Sequence, residues 1–186
     1  MNKKIQALSL LFNVAFSAYY ILFGIISHSW WLFTIGIYYL LLSITRFWVL
    51  KIKGNRTIYF SGIMLMLLSL PIAVTVVLAV ANDKGTIFNK IIMIAIAVYA
   101  FTKITVATVN LIKSRKNSTI KLVILKNISF ADACVSIFTL QRAMLATFDG
   151  MTKFETRLAN ALTGSAVCII VFILGVNLIG CKNKAR

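Results

Sequence analysis

Six continuous apolar segments, each about as long as a bilayer is thick, leave this chain of 186 residues almost nothing from which to build a water-soluble fold. They run Ile5–Ile26, Trp30–Leu50, Ile58–Ala81, Ile87–Ile112, Ile128–Phe148 and Leu158–Ile179. Each is within or close to the roughly 17 to 25 residues that a tilted helix needs to cross hydrocarbon. Inside lipid the backbone has no water to bond with, so only helices or closed barrels can span it. A barrel calls for short strands of alternating polarity with turns between them, and these runs do not alternate. The expected fold is therefore all-α: a polytopic membrane bundle of six transmembrane helices, arranged as three hairpins within one integral membrane domain over 1–186. A composition of 60% hydrophobic and 13% charged residues agrees.

The fifth segment departs most from the others. It is the least hydrophobic, and it holds Asp132, the only acid placed inside a span. At 100° per residue, Asp132, Ser136, Thr139, Arg142 and Thr147 fall on one side of a helix. Ile137, Phe138 and Leu145 cover much of the rest. A helix with that polar stripe cannot face lipid all round, so the stripe is expected on the inside of the bundle.

The basic residues predict an orientation. Lys3 and Lys4, then Lys51, Lys53 and Arg56, then Lys113, Arg115, Lys116, Lys121 and Lys126, and finally Lys182, Lys184 and Arg186 all fall on one side of a six-span topology. The opposite side has only Lys84, Lys90, Lys153 and Arg157. Cytoplasmic loops are the basic ones, so the chain is expected to be multi-pass in the cell membrane with both termini cytoplasmic. A net charge of +16 would suit nucleic acid in a soluble protein. Here it follows membrane sidedness, so no nucleic acid is expected, and the partners are anionic lipid heads at the cytoplasmic face. A homo-oligomer or a partner membrane subunit is compatible with the sequence. The basic start MNKK and the apolar run after it continue to Ile26 without a small-residue cleavage site, which favours an uncleaved first helix.

Polar residues in the other segments also gather on single faces. Asn13, Ser17, Tyr20 and Gly24 share one in the first span, Tyr39, Ser43 and Arg46 one in the second, and Tyr99, Thr102, Lys103 and Asn110 one in the fourth. The two tyrosine pairs, Tyr19 with Tyr20 and Tyr38 with Tyr39, lie at similar depth. With Lys90 counted at the outer end of the fourth span, the charged residues within spans are Arg46, Lys103, Asp132 and Arg142, three cations against one anion. Asp132 with Arg46 is the natural pair, since each lies about one turn from the cytoplasmic boundary. Lys103 is too deep to snorkel easily and needs a carboxylate, a carbonyl or water. Arg142, in the outer half, has only Asp149 or Glu155 within plausible reach. Pro71 should kink the third span by removing the bond to the Leu67 carbonyl, with Ser69 near enough to compensate. Lys113 to Lys126 alternates basic and apolar groups, as an interfacial segment would. Asn160, Gly164, Cys168 and Gly175 make a small-residue face on the sixth span, suited to close helix packing.

Enzyme readings find no support. The single histidine, His28, lies in an external turn, and no metalloprotease, nucleophile-elbow or nucleotide-loop motif occurs. No second intramembrane acid makes a catalytic pair with Asp132. No cofactor is expected. The three cysteines, Cys134, Cys168 and Cys181, give neither a disulfide framework nor a metal-ligand spacing.

Two functions remain. The first is a small transporter or channel for an ion or small solute, with an anion suggested by the surplus of buried positive charge. Its polar pathway would run between spans one, two, four and five and be lined by Asn13, Tyr20, Tyr39, Arg46, Tyr99, Lys103, Asp132, Thr139 and Arg142. The second is a non-catalytic accessory, regulatory or immunity-type membrane protein. There the polar residues only fix helix packing, where each hydrogen bond contributes on average ~0.6 kcal/mol, and a small-residue face docks a partner helix.

Overall fold

The computed structural model describes residues 3–51, 56–81, 90–114, 120–148 and 150–180. Each of the six apolar segments forms an α-helix: α1 (Lys3–Ile26), α2 (Trp30–Lys51), α3 (Arg56–Ala81), α4 (Lys90–Ser114), α5 (Ile120–Thr147) and α6 (Lys153–Gly180). No strand occurs among the described residues. Four of the helices, α2, α3, α5 and α6, are long and apolar enough to cross a membrane.

Burial is inverted relative to a water-soluble bundle. Asp132, Arg46, Arg142, Asn13 and Asn160 are buried, while Leu162, Val98, Phe101 and Val77 are each more than half exposed. An apolar exterior over a partly polar interior suits a hydrocarbon surround. Of the polar stripe of α5, Asp132, Ser136 and Arg142 are buried and Thr139 and Thr147 are half-buried, and around Asp132 the burial goes further than the stripe. All six residues from Ala131 to Ser136 are buried, which at 3.6 residues per turn means the whole circumference.

The packing explains how α5 comes to be covered on every side. α2, α3 and α5 touch one another at the centre, and each carries an outer helix: α1 lies on α2, α4 on α5, and α6 on α3 and α5. The chain is thus not packed as consecutive pairs throughout. α1 and α2 are a true hairpin, but α3 takes α6 as its main partner and makes no backbone contact with α4 among the described residues. Small residues decide this. A Cβ on Gly175 would lie 2.9 Å from the Gly62 carbonyl oxygen and 3.0 Å from the Met66 nitrogen, so α3 and α6 approach backbone to backbone. The small-residue face expected on α6 is therefore occupied inside the chain.

Local chemistry sets the helix ends. Ser29 N–H bonds to the Gly24 carbonyl at 2.9 Å and His28 N–H to the Ile25 carbonyl at 3.2 Å, the paired bonds of a Schellman stop. His28 takes the left-handed position at φ 49°, one that histidine visits more readily than branched residues do. α2 follows at once, with Phe33 N–H on the Ser29 carbonyl.

Two starts come more than a turn earlier than hydropathy places them. α6 begins at Lys153 rather than Leu158 because Thr152 and Glu155 form a capping box: Thr152 N–H donates to Glu155 Oε2 at 2.7 Å, and Glu155 N–H to Thr152 Oγ1 at 3.3 Å. α5 begins at Ile120 rather than Ile128, since IKLVILK contains no glycine or proline to stop a helix. Of the interfacial segment expected over Lys113 to Lys126, residues from Ile120 onward are thus the first two turns of α5, and 115–119 lie outside the described residues. α3 runs unbroken through Pro71, and the Ser69 hydroxyl donates to the Met66 carbonyl at 2.6 Å, not to Leu67.

Candidate functional site

Asp132 is the hub of a charged knot drawn from four helices. Its Oδ2 accepts from Arg46 Nη2 of α2 at 3.1 Å and from Asn13 Nδ2 of α1 at 3.4 Å. Its Oδ1 accepts from Lys103 Nζ of α4 at 2.8 Å. Arg46 Nη2 also donates to Ser129 Oγ at 3.3 Å, which ties it a second time to α5. Asp132 is 1% exposed, so in a low-dielectric surround its charge depends on these partners.

Ser136, one turn further along α5, organises the other half. Its hydroxyl donates to the Asp132 carbonyl at 2.8 Å, which uses its single proton. The oxygen then accepts from Lys103 Nζ at 2.9 Å and from the Tyr39 hydroxyl at 3.4 Å, the latter direction fixed because serine has no second proton. Lys103 Nζ also lies 5.8 Å from the centre of the Tyr39 ring. Tyr20 stacks on Tyr39 at 5.9 Å with the planes 11° apart, and Tyr38 meets Tyr39 edge-on at 5.5 Å. The four tyrosines of α1 and α2 do form one cluster, since Tyr19 also packs against Tyr20.

The knot spans a gap in the backbone packing. α1 and α4 share no backbone contact among the described residues, nor do α1 and α5, yet Asn13 and Lys103 reach the same carboxylate. Its two cationic arms differ in exposure. The side chain of Arg46 is 5% exposed and that of Lys103 is 18% exposed.

Of the nine residues expected to line a pathway, Asn13, Tyr20, Tyr39, Arg46, Lys103 and Asp132 are brought together here. Thr139 is not part of the knot; its hydroxyl donates to the Ser136 carbonyl of its own helix at 2.9 Å. Arg142 is also separate, with its guanidinium carbon 4.6 Å from the centre of the Trp31 ring. Of the acids expected to meet Arg142, Glu155 is engaged by Thr152, and Asp149 lies outside the described residues. The Tyr99 side chain likewise lies outside them.

Three participants were not among the expected lining residues. Ser136 was visible on the polar stripe, and Ser129 precedes Asp132 by three residues on the same face. Trp31 carried no signal beyond its place at a helix end, because its contact with Arg142 depends on how α2 and α5 cross. Among the described residues no group of histidine, cysteine or acidic side chains is arranged to hold a metal.

No protein-family model, curated protein or solved structure matches this chain.

Proposed function

We propose that the protein is a small membrane transporter or channel, with a route for an ion or small solute between α1, α2, α4 and α5. The observation that carries this reading is the unequal pair of arms on Asp132. A buried ion pair is weak evidence for stability alone, because well-packed apolar residues of similar volume often do as well or better. An intramembrane charge is by default a functional group. Both cations make two bonds to α5, but Arg46 comes from a central helix and its side chain is 5% exposed, while Lys103 comes from an outer helix and its side chain is 18% exposed. Lys103 is the arm that can leave and return.

All six helices cross the membrane in this reading, with both termini cytoplasmic as the basic asymmetry indicates. The polar interior, the apolar exterior and the length of each helix support it. The reaction is movement rather than chemistry, and no cofactor takes part.

The accessory-protein reading loses part of its basis. The small-residue face it would use for docking is filled by α3. Purified protein in sealed liposomes tests the proposal: flux of an ion or small solute above that of empty vesicles supports it, and flux equal to empty vesicles for inorganic ions, small anions and small amines removes it.

A further inference from the structure

The ammonium of Lys103 sits in a seat with all the parts needed to hold a cation that has no tether. Asp132 Oδ1 lies 2.8 Å away and supplies the charge. Ser136 Oγ at 2.9 Å supplies a lone pair, and that lone pair is aimed, because the hydroxyl proton is committed to the Asp132 carbonyl. The Tyr39 ring, centred 5.8 Å away, presents its face and adds the attraction of its quadrupole. Tyr39 is itself held, by Tyr20 stacked on it and by its own hydroxyl on Ser136.

Vacating this seat does not strand the carboxylate. Arg46 and Asn13 remain on Oδ2, so Asp132 keeps a countercharge and a hydrogen bond when Lys103 swings out. The formal charge of the knot is the same with Lys103 in place as with a free monovalent ammonium there. An anion fares worse, because approaching the Lys103 ammonium brings it against the carboxylate that already holds that ammonium.

We infer that the Lys103 ammonium is a tethered stand-in for the transported solute, and that the seat of Asp132, Ser136 and Tyr39 binds a small primary ammonium compound when Lys103 leaves it. The purpose of this exchange rests on the transport reading; occupancy of the seat can be measured without it.

Lys103→Ala removes a fragment the size of n-propylammonium. The variant is purified in detergent and its thermal unfolding is followed against n-propylammonium chloride, with tetramethylammonium chloride and sodium chloride at matched ionic strength. The expected result is a saturable rise of the midpoint with propylammonium alone, since tetramethylammonium has no N–H for Asp132 and Ser136. The variant should bind at least about tenfold tighter than the wild type, because a seat that Lys103 leaves open no more than about 10% of the time weakens apparent affinity by that factor. Adding Ser136→Ala should weaken the response. Lys103→Met, which keeps the stem and vacates only the place of Nζ, gives the corresponding comparison with ammonium chloride in place of propylammonium where the alanine variant does not fold.

Equal responses to the three salts, or equal affinity in wild type and variant, overturn the inference, as does failure of both variants to fold in any amine. A propylammonium response without flux in liposomes leaves the seat standing and removes the transport reading. Flux of another solute without that response does the reverse.

Discussion

Lys103 and Asp132 meet at 2.8 Å, although among the described residues the helix that carries Lys103 packs only on α5 and the carboxylate is held from its other side by α1 and α2. Asp132 thus joins four helices through one side chain. Removing it takes the carboxylate from buried Arg46 and half-buried Lys103 at once, so Asp132→Ala is expected to lower stability by ~3 kcal/mol. In a double-mutant cycle with Arg46→Leu, measured by unfolding in mixed micelles, the double variant should lose less than the sum of the single losses. Additive losses would show that the Arg46–Asp132 contact has no energetic weight.

The crossing of α3 and α6 depends on an absence of side chains. A Cβ on Gly175 would fall 2.7 Å from Met66 Cγ and 2.9 Å from the Gly62 carbonyl oxygen, and the second neighbour is backbone that cannot turn aside. Gly175→Val should therefore cost ~1–3 kcal/mol through forced separation of the two helices. Gly180→Val, where a Cβ meets nothing within 4 Å, is the control and should change the unfolding midpoint little. Similar effects at both positions would mean that the crossing is not tight.

Arg142 and Trp31 make a prediction of their own. With the guanidinium 4.6 Å from the ring centre and both residues buried, the contact should contribute ~2 kcal/mol as a desolvated cation–π pair. Trp31→Leu should lose that amount and Trp31→Phe clearly less. Equal losses in the two variants, read from the same unfolding assay, would assign the effect to packing volume alone.

Much of this was legible in the sequence, and the limits of what was legible are physical. Hydropathy located all six helices because each is a long apolar run, four of them long and apolar enough to cross a membrane. Helical phase put Asn13, Tyr39, Arg46, Lys103 and Asp132 on inward faces, since a charge inside a membrane has few places to go. Phase says nothing about which helices are neighbours. The pairing of α3 with α6 rests on Gly62 meeting Gly175, a coincidence in space that hydropathy cannot show. The place of Arg142 over Trp31 was hidden for a similar reason, since it comes from the crossing of α2 and α5. The early start of α6 was written in the residues as Thr152 followed by Glu155, but it lies outside the apolar run that drew the boundary.

Sidedness can be read by labelling. In a background without Cys134, Cys168 and Cys181, a cysteine in place of exposed Ser27 or Lys153 should react with an impermeant thiol reagent added to sealed cells. One in place of Lys51 should react only after the cells are opened. Labelling at Lys51 from outside would reverse the orientation drawn from the basic residues.

The most direct measurement compares flux through the wild type and Lys103→Met in sealed proteoliposomes, with both proteins first shown to be folded by their unfolding midpoints. As a route gated by the Lys103–Asp132 pair, the wild type should move a small ion, with methylammonium the first to try, well above empty vesicles, and the variant should fold and move none. If the charge serves packing alone, the change replaces a costly buried ammonium with an apolar side chain of similar length and should be neutral or stabilising. A wild type that moves no ion or small solute, or a folded Lys103→Met protein that moves it as fast as the wild type, would contradict the account.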